Sequence, residues 1–143
     1  MLHKLKLNAM ISKHITKEEA TYSESAVKNK VSNVPNEVQL EAMQHVAVNL
    51  FEPLREWYGK PIKINSFFRS LEVNKLVGGA ATSQHCKGEA IDISAGSKEE
   101  NKKLFDYVCK NLNFDQCINE YNFTWIHISL KKSGNRKQVL VIK

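Results

Sequence analysis

Two hydrophobic rhythms divide this chain. Between residues 35 and 59, Leu40, Met43, Ala47, Leu50, Leu54 and Trp57 recur every three or four positions, the spacing of one buried helix face. Pro35 suits the first turn of that helix and Gly59 its end. Pro53 must kink it or start a new one. "SKEENKKLFDYVCKNL" (97–112) has the same rhythm, with Ser97 as cap and Leu104, Val108 and Leu112 inward. Elsewhere the period shortens to two. Ile62 and Ile64 alternate with Lys63 and Asn65, and "EAIDIS", "FDQCINEY", "TWIHISL" and "KQVLVIK" also predict strands. "KKSGNR" predicts a hairpin turn between the last two.

The punctuation is equally legible. Thr16 and Glu19 in "TKEE" fit a capping box. "SESAVKNK" predicts a short helix or turn, and Ser70 caps a short helix in "SLEVNKLV". "GGAATSQHCKG" is loop. Helices followed by interleaved strands and helices predict an α+β fold, a small, mostly antiparallel sheet with flanking helices. The 143 residues suit a single domain, 1–143, with residues 1–34 as an N-terminal extension packing on it.

Composition narrows the function classes. Apolar residues make up 42% and charged residues 25%, as in soluble globular proteins. No apolar run approaches the roughly 18 residues of a membrane helix, so no membrane insertion is expected. "MLHKLKLNAMISKHITKEE" lacks the features of a secretion signal, and cytoplasmic synthesis is expected. The three cysteines, Cys86, Cys109 and Cys117, are odd in number and lack motif spacing, which argues against a disulfide framework. Cys109 reads as core, and Cys86, beside His85, as structural. The net charge of +6 favours anionic partners. Scattered lysines, not set among aromatics, argue against a nucleic acid.

"SQHCKGEAIDIS" (83–94) carries the chemistry. Asp92 stands between Ile91 and Ile93, although Asp is a poor strand former. A metal ion is one way to compensate it. His85 lies in the preceding loop, and Gly88 lets that loop turn sharply. His127 alternates with Ile126 and Ile128, so it faces away from them. Two nitrogens and one oxygen leave a fourth tetrahedral position open, the pattern of a catalytic zinc site. Zinc lowers the pKa of a coordinated water to about 7. Glu120 in "INEYN" is then the candidate acid/base. Each piece also has an ordinary reading: a hydrogen-bonded core histidine, an aspartate that caps or pairs with lysine, a solvated strand glutamate. His3, His14 and His45 are read in that ordinary way.

Together "SFFRS", "VNKLVGGAATSQHCKGEAIDI" and "NEYNFTWIHIS" resemble the zinc D-Ala-D-Ala carboxypeptidase and endolysin family, the M15 peptidases, notably compact phage-type members. The motif Ser-x-His-x-x-Gly-x-Ala-x-Asp is complete as Ser83, His85, Gly88, Ala90 and Asp92, and the later Trp-x-His is Trp125 and His127. The resemblance implies a fold shared with hedgehog signalling domains. It implies one zinc per chain held by His85, Asp92 and His127, Glu120 as acid/base, and Arg69 as oxyanion partner. It implies Ser83 and Trp125 as contacts for a peptidoglycan stem peptide. The expected protein is a monomeric metallopeptidase cutting a D-Ala-D-Ala or L-Ala-D-amino acid bond, an endolysin released after synthesis or carried in a virion. The alternative is a non-catalytic, zinc-stabilised binding domain of the same fold. In one departure, Glu120 and His127 lie seven positions apart, where relatives often show a shorter gap, so "YNFT" must absorb an extra residue in a turn or bulge.

Overall fold

The computed structural model describes residues 9–143. His3 lies outside the described residues. Five strands form one sheet: β3 (Lys63–Ser66), β4 (Ala90–Ser94), β5 (Gln116–Glu120), β6 (Trp125–Ser129) and β7 (Gln138–Ile142), in the order β3-β4-β6-β5-β7. A small hairpin, β1 (Met10–Ser12) with β2 (Ile15–Thr16), precedes them. The fold is α+β. Three of the four pairings in the larger sheet are antiparallel, and the fourth, β5 with β7, is parallel.

That parallel pair corrects the hairpin expected between the last two strands. β6 is bonded to β4 on one edge and to β5 on the other. It has no free edge for β7, so the chain crosses to the open side of β5. The buried Asp115 carboxylate guides the crossing. It accepts from Arg136 N at 2.9 Å, Nε at 3.1 Å and Nη2 at 2.7 Å. The Asp115 carbonyl accepts from Gln138 N, which starts β7. The bonds from Arg136 outweigh burial and hold this carboxyl down at about 2. A depressed folded pKa contributes stability above the ordinary value of 3.8, and that contribution fades as pH falls toward about 2. Asp115→Asn should therefore cost about 1.5 kcal/mol at neutral pH, the low end for charged hydrogen bonds because water screens the half-exposed Arg136. Melting curves of variant and wild type should converge below about pH 3. A gap that persists undiminished there would contradict the charged bond.

The long helix begins at Glu37, one residue after its cap. Asn36 accepts from Gln39 N, and Gln39 bonds back to Asn36 N. Pro35 lies before the cap and not, as expected, in the first turn. The helix runs Glu37–Val46, loosens into a π turn over Ala47–Phe51, and resumes as Glu52–Tyr58 with Pro53 in its first turn. Pro53 thus stands where a new stretch of α-helix starts after the π turn, one of the two expected outcomes, in a first turn that tolerates its missing N–H. The extra residue also rotates the buried face. Met43, Ala47, Leu50 and Leu54 are buried as expected, and Phe51 joins them. Trp57 is turned out, 46% exposed, and stacks on Tyr107 at 4.0 Å. Gly59 ends the helix in the left-handed region.

The remaining caps form where the sequence places them. Thr16 caps Lys17–Thr21 in a capping box, Ser70 caps Leu71–Leu76, and Ser97 caps Lys98–Asn111. "SESAVKNK" forms the helix Glu24–Asn29. Leu104 and Val108 pack with Ile91, Ile93, Ile126 and Ile128 from one sheet face, and Ile11, Ile15 and Ala20 join the same core. His14 pairs with Glu52 at 2.6 Å, and His45 is half-buried on its helix. Among the described residues no helix is long and apolar enough to cross a membrane.

Candidate metal centre

With four isoleucines of β4 and β6 turned into the core, the residues between them face the other way. Asp92 and His127 are register partners across β4 and β6, so their side chains stand side by side. His127 Nδ1 lies 2.9 Å from Asp92 Oδ1. His85 reaches the same carboxylate from the 3₁₀ turn Gln84–Lys87, its Nε2 3.2 Å from Asp92 Oδ2. All three are buried, with candidate ligand atoms within 4.8 Å of one another.

Two features aim His85. Gly88 ends its turn at φ 76°, and a Cβ there would sit 2.5 Å from the Gln39 carbonyl oxygen, so only glycine lets the turn pack against the helix. His85 Nδ1 lies 2.7 Å from the Phe67 carbonyl oxygen. A carbonyl only accepts, so Nδ1 carries a proton and Nε2 is the nitrogen turned to the site. Nε2 is buried without a hydrogen-bond partner. An orphaned buried nitrogen set against a carboxylate costs about 1–3 kcal/mol. A shared cation would satisfy both. Burial pushes the Asp92 carboxyl up, but the two histidines outweigh it and hold it well below the ordinary carboxylate range. Two imidazole nitrogens and one carboxylate oxygen, with no fourth donor in the cluster among the described residues, suit zinc with an open position.

Glu120 ends β5 opposite Trp125, on the face that carries His127. Its Oε1 lies 4.0 Å from His127 Nδ1. Burial first, then the Asp92 charge, raise its pKa against the pull of His127. The extra residue of "YNFT" is taken up by a left-handed turn: Tyr121, Asn122 and Phe123 have φ of 55°, 55° and 61°. No glycine announces this turn in the sequence. It is clamped instead by Asn119 Oδ1, which accepts from Phe123 N at 2.6 Å, and by the buried Asn101, which donates to Phe123 O at 2.8 Å. Both asparagines escaped the sequence reading, because nothing in the local pattern sets them apart.

Arg69 Nη2 lies 3.7 Å from Asp92 Oδ2. Ser83 and Trp125 line the same cleft, of about 1050 Å³. Ser83 Oγ also accepts from His85 N at 3.2 Å, capping the turn that carries the histidine. The Trp125 ring meets Tyr121 edge-on, with centroids 4.9 Å apart.

A sequence model of the peptidase M15 family matches residues 13–129, which contain every one of these side chains. The chain belongs to the peptidase M15 family. It is also 40% identical over 60 residues to the zinc D-Ala-D-Ala carboxypeptidase of Streptomyces albus G. That match covers 42% of this chain and 20% of the relative, so the chain spans only a fraction of the relative's length. Within this M15 chain Cys86 is buried beside His85 but stands outside the converging group. Cys86→Ser should leave zinc content unchanged, and X-ray absorption of the wild type should lack a metal–sulfur distance of about 2.3 Å. Such a distance would overturn the two-histidine, one-aspartate set. Cys117 is buried in the core and Cys109 is half-buried against it.

Proposed function

We propose that this chain is a zinc peptidase that hydrolyses a bond in the stem peptide of bacterial peptidoglycan. The observation that carries the reading is the convergence of His85, Asp92 and His127, with His85 Nε2 buried and unpartnered, on the floor of a cleft that also holds Glu120 and Arg69. The stem-peptide substrate is suggested by the name of the Streptomyces relative. His85 Nε2, the Asp92 carboxylate and His127 Nδ1 would hold the metal. Bound there, zinc supplies Lewis acidity, polarising the scissile carbonyl and acidifying water.

The chain's own groups do the rest. Glu120 accepts a proton from water as the water oxygen attacks the carbonyl carbon. Arg69 faces the carbonyl oxygen and offsets its developing negative charge. When the carbon–nitrogen bond breaks, Glu120 returns the proton to the leaving amine. Ser83 and Trp125 contact the peptide. Asp92 and His127 lie on β4 and β6, inside the sheet, and the cleft continues past them to Tyr22 and Lys63 on one side and to Gln116 and Ile142 on the other. Room on both sides of the scissile bond favours a cut within the stem over removal of its last residue. We include in this reading a monomer that reaches the wall by lysis-linked release or as part of a virion.

The test is digestion of purified peptidoglycan with mass analysis of the products, with and without chelator. Peptide fragments whose release stops with chelator and returns with zinc are expected. No fragment from any wall, with zinc fully loaded, would favour a zinc-stabilised binding domain.

A further inference from the structure

An arginine side chain has many rotamers, so a guanidinium that must meet a small developing charge gains from being held beforehand. Arg69 is held on two sides within the chain. Its Nε donates to Ser66 Oγ at 3.2 Å, and its Nη1 donates to Asn74 Oδ1 at 3.0 Å. These bonds leave Nη2 toward Asp92 and the cleft.

Asn74 lies on the helix Leu71–Leu76 and is 4% exposed. Its amide can point only one way. The guanidinium has donors alone, so Oδ1 must face it. Asn74 Nδ2 donates in turn to the Ala80 carbonyl oxygen at 2.9 Å, a group that only accepts. Flipping the amide would set donor against donor and acceptor against acceptor. Gly79 closes the arrangement. Its N–H donates to the Asn74 carbonyl at 2.9 Å, and a Cβ on it would fall 2.0 Å from Asn74 Oδ1 and 2.8 Å from Arg69 Nη1. The adjacent Gly78 has φ 73° and serves the turn, whereas Gly79 shows no left-handed φ. Its missing side chain is a matter of space.

We propose that Asn74, seated against Gly79, is a positioning residue for Arg69: it fixes the plane of the guanidinium facing the cleft. The kinetic part of this inference rests on the peptidase reading above, and its spectroscopic part does not. The competing role is purely local, with Asn74 merely tying its helix to Ala80. Both roles allow a stability loss on mutation. Only positioning makes the effect depend on Arg69.

The experiment uses the full chain, zinc-loaded and ¹⁵N-labelled. A held guanidinium rotates slowly and gives separate Nη proton signals, whereas a free one gives a single averaged signal. Separate signals are expected for Arg69, assigned by their loss in Arg69→Lys. They should average in Asn74→Ala and in Gly79→Ala, with zinc content retained. Wall hydrolysis should fall about tenfold to a hundredfold in Asn74→Ala through kcat. In an Arg69→Ala background the same change should cost less than about threefold. Unchanged Arg69 signals in Asn74→Ala, or an equal loss in both backgrounds, would overturn the proposal. If Asn74→Ala does not fold, Gly79→Ala decides it by the same signals. If the wild type releases nothing from any wall, the peptidase reading fails and the guanidinium signals alone decide this one.

Discussion

Glu120→Gln should leave zinc content and melting temperature as in the wild type while wall hydrolysis falls at least about a hundredfold, the lower bound for loss of a positioned acid/base. Glutamine has nearly the same size and can keep a hydrogen bond at this position, but it cannot take up and return a proton. The geometry separates the two readings of this residue. A solvated strand glutamate would be exposed and indifferent to the site. Glu120 is instead half-buried, 4.0 Å from His127, with its pKa raised by burial and by the Asp92 charge. A raised carboxyl is a better base at neutral pH than an ordinary one. Zinc analysis and calorimetry beside the wall assay make the result interpretable. Full activity in the variant would send the search for the base elsewhere in the cleft, and lost zinc would make Glu120 a ligand.

His127→Ala should reduce bound zinc to less than about a tenth of the wild-type level after dialysis and abolish hydrolysis, because two donors remain where three converged. A second readout comes from linkage. A ligand that binds only the folded chain stabilises it by about 4 kcal/mol at a thousandfold excess over its Kd. Added zinc should therefore raise the melting temperature of the metal-stripped wild type and leave that of His127→Ala unmoved. The stripped variant should also melt below the stripped wild type, since Asp92, buried and ionised, loses the histidine that contacts it at 2.9 Å. His85→Ala and Asp92→Ala should behave alike in zinc content. A full complement of zinc in His127→Ala would end the three-ligand assignment.

Much of this was legible because it depends on local periods. Period two placed His127 on the face opposite Ile126 and Ile128 before any pairing was known, and Asp92 stood out as a poor strand former between Ile91 and Ile93. Caps at Thr16, Ser70 and Ser97 follow from side chains bonding to amides three residues on. Trp57 was misplaced for a reason invisible to a period of 3.6: one π turn shifts the phase of every later position.

By itself, then, the sequence determined the rhythm of each element, the sign of each cap, and which polar residues interrupt apolar strands. Tertiary structure alone decided how those pieces meet. That β7 pairs with β5 follows from β6 having both edges occupied, a property of the sheet and not of any segment. That Asn74 grips Arg69 depends on Gly79 vacating a volume five residues along, and that Glu120 faces His127 depends on a left-handed turn clamped by Asn101 from another helix. These are contacts between side chains and backbone groups that are unremarked in sequence. Their energy is realised only once packing removes them from water and brings their partners within reach.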